Sequence, residues 1–205
     1  KFNHQVWIVD KEKNQKSLKK LINKINKIYI CDGHHRIQGM INSNKKISPM
    51  IIAFPHNQIQ ILDYNRVLKS KLSIEKIFNI ISKNFIIKKI KNNSKSLKKG
   101  NMEMYANHQW YSLKQIKNNN KLDVTTLHEN IISKIKVNKI DFISGISGSI
   151  ILKKLVRSKK FNIAFKLCPT NISSVMRIAD KKKFMPPKST WFHPKPLDGL
   201  ICSEL

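Results

Sequence analysis

The chain has 205 residues, 40% of them hydrophobic, which is enough to bury the core of one domain or of two small ones. No apolar run approaches the roughly 20 residues that a bilayer crossing requires, and the first ten residues lack the apolar core and cleavage site of a signal peptide. We therefore expect a cytoplasmic protein with no membrane partner. Because the sequence does not begin with Met, we also expect an upstream portion to be missing.

The formal net charge of +28 would ordinarily indicate binding to nucleic acid or another anionic surface. However, the chain contains 36 Lys but only 4 Arg, together with 32 Ile and 21 Asn. An A/T-rich coding sequence produces this combination, whereas a surface that reads nucleic acid would use more Arg. We expect the charge to be incidental and specific nucleic-acid binding to be absent, while a non-catalytic DNA-binding or regulatory module stays open as the alternative function.

Strand and helix signals alternate along the chain. The predicted strands are residues 5–9, 28–31, 50–54, 58–62, 85–90, 103–105, 110–113, 139–143, 162–167 and 199–202. The predicted helices are residues 15–26, 36–42, 73–83, 125–136, 149–158 and 173–181. Several neighbouring strands are joined by only a few residues, which favours hairpins. The pattern predicts an α/β protein with a mixed or antiparallel sheet and flanking helices.

Polar, turn-rich segments are predicted loops, and the longest of them is residues 91–100 (KNNSKSLKKG). This loop marks a candidate boundary between two lobes, residues 1–90 and residues 91–205. It is too short for a flexible linker, so we expect the two lobes to pack as one unit. The three cysteines are far apart and flanked by apolar residues, which predicts reduced core thiols.

Asp32, Gly33, His34, His35 and Arg36 concentrate phosphate-binding and proton-handling groups at a predicted strand-to-helix turn. Asp and Gly suit a tight turn, and a helix that starts there directs free backbone N–H groups and its positive dipole end outward. Arg36 offers a planar donor fork for phosphate, and the two histidines donate hydrogen bonds or transfer protons. Asp32 can hold a metal ion or accept a proton from a hydroxyl. The alternative is a capped surface turn with solvated histidines.

A second dense segment, residues 185–196 (MPPKSTWFHPKP), contains four of the seven prolines. Proline fixes φ and removes donors, so the segment is predicted to follow a rigid, extended path. Lys188, Ser189 and Thr190 place a cation beside two hydroxyls on that path, which suits a phosphate or a small polar ligand. The alternative is a structural wrap in which the adjacent Trp–Phe pair anchors the carboxyl-terminal strand to the core.

Two further segments are predicted turns. Residues 63–66 (DYNR) predict an Asx-type turn with a neighbouring ion pair. Residues 141–149 (DFISGISGS) are rich in glycine and serine, but their spacing is not that of a P-loop or a dinucleotide fingerprint. A flexible turn with a capping serine is therefore the prediction for this second segment.

The chain resembles the uncharacterised bacterial proteins grouped as domain of unknown function family 1015. The matching segments are HQVWIVD, YICDGHHR, DYNRVLK, MYANHQWYSLK, LDVTTLHENI, IDFISGISGS, AFKLCPT and MPPKSTWFHPKPLDGL, which occur in family order over nearly the whole chain. Each segment is weak evidence by itself, and their order makes the resemblance specific.

This resemblance implies similarity to kinases that phosphorylate free serine with a nucleotide, and a ParB/sulfiredoxin-like element around the DGHHR turn. ATP or ADP with Mg²⁺ would be the cofactor, and a small hydroxyl-bearing molecule the acceptor. The residues from Gly33 to Arg36 would contact the phosphates, with Lys188, Ser189 and Thr190 as further contacts. Asp32 would lie at the transfer site with the metal ion or the acceptor hydroxyl, and His34 would join it in catalysis.

The resemblance also implies that an upstream part of the protein contributes to catalysis. Family members are longer than this chain, which looks like their carboxyl-terminal half. The resemblance places the catalytic glutamate of the kinases upstream of the DGHHR motif. We therefore expect this portion to be inactive when it is alone.

Overall fold

Residues 4–43, 48–94, 96–117, 119–195, 199 and 201–202 are described by the computed structural model. The chain divides into residues 1–49, called the amino-terminal unit below, and residues 50–205, called the carboxyl-terminal unit. Each unit is described by itself.

The amino-terminal unit contributes two helices, α1 (Glu12–Ile22) and α2 (His34–Asn42). A solvent-exposed ion pair joins Lys16 to Glu12 across one turn of α1, with 2.6 Å between Nζ and Oε1. The predicted strands at residues 5–9 and 28–31 are wrong, since neither segment is a strand. A strand needs a neighbouring strand for its backbone hydrogen bonds, and the described residues of this unit form none.

Eight strands and four helices make up the described part of the carboxyl-terminal unit. The strands are β1 (Gln60–Leu62), β2 (Tyr64–Ser70), β3 (Phe85–Ile90), β4 (Asn101–Ala106), β5 (Gln109–Gln115), β6 (Val137–Ser144), β7 (Ile163–Lys166) and β8 (Trp191–His193). The helices are α3 (Ile74–Ser82), α4 (Asp123–Leu127, continued by a π-helical turn over His128–Ile132), α5 (Gly148–Arg157, preceded by a 3₁₀ turn over Gly145–Ser147) and α6 (Ile172–Asp180).

Six of the strands form one sheet in the order β3-β5-β4-β7-β2-β6, and β1 pairs with β8 in a separate two-stranded sheet. Every one of these pairings is antiparallel. The turn between β4 and β5 uses Asn107 and His108 with positive φ, as a tight hairpin requires. The predicted fold class, an α/β protein with hairpins and flanking helices, is confirmed.

Helices cover both faces of the six-stranded sheet, because alternate residues of one strand enter different core clusters. Leu68 and Met104 pack with Ile77 of α3 and Leu127 of α4. Their neighbours Val67 and Tyr105 pack on the opposite face with Leu152 and Val156 of α5. This alternation follows the two-residue period of a strand, and it builds three layers.

Several sequence predictions differ from this structure. Residues 50–54 do not form a strand, and the predicted DYNR turn is instead the start of β2, where Asn65 and Arg66 are buried. The predicted strand at 199–202 has a turn at Gly199 and a bend at Ile201, and residue 200 lies outside the described residues. The sheet takes strands from both sides of residue 90, so the predicted lobe boundary falls between two strands of one sheet.

Candidate functional site

The DGHHR turn has the backbone geometry of an anion site. Gly33 adopts φ +81°, the left-handed conformation, and immediately precedes α2. Its N–H donates to Asp32 Oδ1 at 2.9 Å, and its carbonyl accepts from the Ile37 N–H at 3.0 Å. No acceptor in the described residues binds the backbone N–H groups of His34, His35 and Arg36, and no side chain caps the helix. These N–H groups and the positive end of the helix dipole therefore point out of the amino-terminal end of α2, where an anion can bind.

The side chains of this turn face outward. Those of Asp32, His34, His35 and Arg36 are all exposed. The Arg36 guanidinium lies over Gly33, so that a Cβ added at Gly33 would be 3.4 Å from both Arg36 Nε and Nη2. The turn thus combines a left-handed glycine, open N–H groups and an Arg fork in one place, which can hold a phosphate or a carboxylate.

A divalent cation fits the residues of this turn when a phosphate accompanies it. Mg²⁺ is commonly held by one or two carboxylates together with substrate phosphates, and Asp32 supplies one carboxylate. Among the described residues no group of three His, Cys, Asp or Glu side chains could form a metal cage by itself. Beside the turn, burial and the Asp32 charge raise the pKa of the Cys31 thiol, so this cysteine is a protonated thiol near neutral pH.

The predicted group Lys188, Ser189 and Thr190 lies in the carboxyl-terminal unit, where the three residues have different environments. Ser189 is buried, and its hydroxyl donates to the Pro186 carbonyl at 2.6 Å. Its carbonyl accepts from the Thr170 hydroxyl at 3.3 Å. Thr190 is half-buried, and the Lys188 side chain is exposed. Of the three, Ser189 therefore holds the segment in place, and Lys188 offers a charge to solvent.

The adjacent aromatic residues anchor the segment, as the structural-wrap interpretation predicts. Trp191 and Phe192 belong to β8 and pair with Leu62 and Ile61 of β1. The Trp191 ring packs edge-on against Tyr64, with 5.4 Å between ring centroids. The Trp–Phe pair is therefore anchored as the wrap interpretation predicts, whereas a ligand at Lys188, Ser189 and Thr190 stays a prediction.

Asp63 and the glycine-rich loop after β6 form a polar site that the sequence analysis missed. The Gly145 N–H donates to the Asp63 carbonyl at 2.8 Å, and a Cβ at Gly145 would clash with Asp63 Oδ1. Asp63 Oδ2 is buried and has no hydrogen-bond partner among the described residues. Burial raises the pKa of the Asp63 carboxyl, although its backbone N–H, the Asn65 side chain and the Lys166 charge lower it. The loop is therefore tied to Asp63 and is not the flexible turn that was predicted.

The cysteines are all free, but they are not core residues as predicted. Cys31 and Cys168 are half-buried, and Cys202 is exposed. Burial, reinforced by the charges of Asp123 and Asp63, raises the pKa of the Cys168 thiol to about 11. Its Sγ donates to the Leu97 carbonyl at 3.1 Å. Such a thiol is unreactive at neutral pH.

Comparison with protein families gives a match over residues 1–141 to the model described as "Protein of unknown function (DUF1015)". The chain belongs to this family. The match covers the DGHHR turn and the strands from β1 to β5 of this DUF1015 protein. No curated protein sequence matches it.

Solved structures share the fold of this DUF1015 protein. A mutant free serine kinase in complex with AMP superposes with a TM-score of 0.52 at 15% identity, covering 87% of this chain and 80% of the kinase chain. A second mutant of a free serine kinase with AMP gives 0.50 at 14% identity, covering 80% of this chain and 66% of that one. A conserved hypothetical protein from Pyrococcus furiosus gives 0.49 at 14% identity, covering 83% and 72%. At 14–15% identity, the likeness to the two kinase structures shows the fold alone.

In the part of the DUF1015 protein that the structure describes, none of the helices has both the length and the apolar character needed to cross a membrane. The longest of them, α1, has 11 residues and carries Lys on several of its turns. This agrees with the absence of long apolar runs in the sequence.

Proposed function

We propose that this protein binds the phosphates of ATP or ADP, with Mg²⁺, at the DGHHR turn and that, in its full-length form, it transfers a phosphoryl group to a small hydroxyl compound such as free serine. The observation that carries the proposal is the left-handed Gly33, which opens α2 with three N–H groups that have no acceptor in the described residues, beside the Arg36 guanidinium. The fold shared with free serine kinases in complex with AMP supports it.

Each residue of the turn has a role in this proposal. The N–H groups of His34, His35 and Arg36 and the Arg36 fork bind phosphate oxygens and offset their charge. Asp32, whose Oδ1 already accepts the Gly33 N–H, would hold the Mg²⁺, which neutralises phosphate charge when it is bound. The His34 imidazole would donate a hydrogen bond or move a proton at the reacting oxygen. Catalysis of this kind depends on positioning the phosphoryl group and neutralising its charge. An upstream carboxylate would be needed in addition, to activate the acceptor hydroxyl.

Nucleotide binding is tested by thermal stabilisation. A ligand at 100 times its Kd stabilises a protein by about 2.7 kcal/mol, which is roughly 5–10 °C in Tm for a domain of this size. We expect such a shift with ATP or ADP and Mg²⁺. Arg36→Ala should weaken the binding roughly 10- to 100-fold, as is typical when a charged hydrogen bond is lost. Arg177→Ala is the matched control, since it removes an exposed Arg from α6 in the other unit.

Two results would contradict the proposal. The first is the absence of a shift with ATP, ADP and CTP. The second is a shift that Arg36→Ala and Arg177→Ala leave equally unchanged. Phosphoryl transfer is a separate measurement, made on the full-length protein by following conversion of ATP to ADP with free serine present and absent.

A further inference from the structure

Arg66 is a buried cation that forms no ion pair with a carboxylate among the described residues. It is 3% exposed, and its guanidinium donates to the carbonyls of Tyr64 and Lys188, the latter at 2.8 Å. Its Cζ lies 4.7 Å from the centroid of the Phe142 ring. In the described part of the chain no carboxylate is within ion-pair distance of this guanidinium.

The charge of Arg66 persists at neutral pH in spite of its burial. Desolvation lowers the pKa of the guanidinium to about 10, which still leaves it protonated. Removing a charge from water is costly unless an opposite charge or several hydrogen bonds compensate it. Two carbonyls accept hydrogen bonds from the guanidinium and one aromatic face lies beside it, but none of these neutral groups cancels its charge.

Three residues that contact Arg66 also line an open cleft at the surface of the carboxyl-terminal unit. Tyr64, Phe142 and Lys188 form this cleft with Trp191 and the hydroxyl residues Ser144 and Ser147, and it has a volume of about 460 Å³. We call it the Tyr64–Trp191 cleft. Its volume falls within the range of roughly 300–1,000 Å³ that is usual for small-molecule sites.

The walls of the Tyr64–Trp191 cleft combine aromatic faces with positive charge. Tyr64 and Trp191 pack edge to face, which fixes both rings. The Lys188 ammonium lies 5.7 Å from the centroid of the Tyr64 ring. Lys188 also has φ +54°, and its carbonyl is held by Arg66, so the start of its side chain is held in one place.

One carboxylate, that of Asp141, also lines the cleft and contributes a negative charge. Asp141 Oδ1 accepts the N–H of Phe142 at 2.8 Å, and Asp141 itself is exposed on the edge strand β6. Solvent screens an exposed carboxylate far more than it screens the buried Arg66. Two positive charges, the buried Arg66 and the exposed Lys188, therefore lie at the cleft against one lining carboxylate.

We propose that the Tyr64–Trp191 cleft binds a small organic anion that carries a flat aromatic or heteroaromatic ring. The ring packs against Tyr64 and Trp191, and the anionic group pairs with Lys188 above the buried Arg66. Ser144 and Ser147 provide hydroxyls at the rim. This site lies wholly within the carboxyl-terminal unit, and it goes beyond the phosphate site proposed at the DGHHR turn.

The test uses ligands that separate the ring from the charge. Phenyl phosphate and benzoate carry both groups, benzyl alcohol carries the ring alone, and inorganic phosphate carries the charge alone. Affinities are measured by ligand-observed NMR on the whole protein. We expect phenyl phosphate and benzoate to bind at least about 10-fold more tightly than either single-group ligand, since the two contacts act together.

Lys188→Gln removes the charge but leaves a polar side chain, and it should reduce the affinity for phenyl phosphate about 10-fold, which is the typical loss for a charged hydrogen bond. The matched control is Lys160→Gln, which removes an exposed Lys beyond the end of α5. Both substitutions are at the surface, so Tm should stay close to that of the parent protein. Equal binding of benzyl alcohol and phenyl phosphate, or equal affinities of the two variants, would overturn the inference.

The cleft and the DGHHR turn are distinguished by crossing their variants. In the Arg36→Ala background, which lacks the phosphate fork of the DGHHR turn, Lys188→Gln should still reduce the affinity for phenyl phosphate about 10-fold. If Lys188→Gln has no effect in that background, the cleft does not bind the ligand by itself and a separate site is disproved. If ATP gives no shift while phenyl phosphate still requires Lys188, the proposed function fails and the cleft remains.

Discussion

The two units of this protein differ most in what their apolar residues do. In the carboxyl-terminal unit, Leu68, Met104 and Phe165 are completely buried between the sheet and its helices. None of the described residues of the amino-terminal unit is buried, although Trp7 and Ile8 are as apolar as the core residues and are 77% and 86% exposed. The candidate phosphate site is therefore in the unit whose described residues include no buried core.

This difference explains why the same kind of sequence signal succeeded in one unit and failed in the other. The apolar run at 85–90 forms β3 because β5 lies beside it and pairs with all six of its residues. The apolar run at 28–31 has the same character but no strand beside it among the described residues of its unit. An apolar pattern predicts that a segment forms a strand when a neighbouring strand is available for pairing. The pattern does not show whether that neighbouring strand exists.

The largest expected effect contrasts a core residue with an exposed one. Phe165→Ala removes a ring that is 0% exposed from the middle of the sheet, and it should lower the free energy of unfolding by about 3–5 kcal/mol. Trp7→Ala removes a larger ring that is 77% exposed, and it should change the value by less than about 0.5 kcal/mol. Urea unfolding followed by circular dichroism measures both. A large loss for Trp7→Ala would show that the amino-terminal unit has a packed core after all.

The next effect contrasts two glycines. Gly145→Ala places a Cβ against Asp63 Oδ1 and 3.2 Å from the Asp63 backbone N, so either the loop or Asp63 must move. We expect a loss of about 1–3 kcal/mol in urea unfolding, as for other overpacked sites.

Gly39→Ala is the matched control, because Gly39 lies inside α2 with no atom within 4 Å of an added Cβ. Here we expect a gain of about 0.5–1 kcal/mol in the stability of the helix, since Ala loses less backbone entropy than Gly. Amide hydrogen exchange of α2 measures it. If both substitutions destabilise the protein, α2 is more closely packed than the structure shows.

A smaller effect is expected at the start of α2. Gly33→Ala puts a residue with a Cβ at φ +81°, which costs about 1–2 kcal/mol. Under the proposed function this strain should reduce nucleotide affinity roughly 10-fold, since 1.4 kcal/mol corresponds to a factor of ten. Gly33→Asn is the control, because Asn also has a Cβ but tolerates the left-handed conformation better. Equal affinities for the Ala and Asn variants would contradict a role for the left-handed turn.

Local pattern was sufficient where a feature depends on neighbouring residues. The helices α3 and α6 are capped by Ser73 and Asn171, whose side chains accept from Lys76 and Ser174 N–H groups, and both helix starts were predicted within one residue. The whole of β2 was missed, and its start was predicted as a turn because Asp and Asn at 63–66 are turn residues by preference. There, pairing with β6 and β7 overrides the preference, and the buried Asn65 is satisfied by accepting the Leu167 N–H at 3.2 Å.

The candidate sites divide in the same way. The DGHHR turn was located from its residue types because all of its groups are consecutive, although its role as a phosphate site remains a prediction. The Tyr64–Trp191 cleft was not foreseen, since Arg66 reaches the carbonyl of Lys188 across 122 positions of sequence. No local sequence pattern predicts a contact between residues that are so far apart in the chain. The buried Arg66 is therefore recognised only in the folded structure, where both segments lie together.

The smallest expected effect is the pH dependence caused by Asp63. Burial raises the pKa of this carboxyl in the native state above its ordinary value of 3.8, so the native protein binds a proton more readily than the unfolded chain does. The free energy of unfolding should therefore fall as pH rises through the interval between these two pKa values, and the loss is complete above it.

Asp63→Asn removes the buried charge, so this variant should be more stable than the parent protein at pH 7, and its advantage should shrink as pH falls through that interval. Urea unfolding over this pH range measures the difference, with the exposed Asp10→Asn as the control. A difference that is constant with pH would mean that Asp63 is not desolvated, and that the loop at Gly145 does not exclude water from its carboxyl.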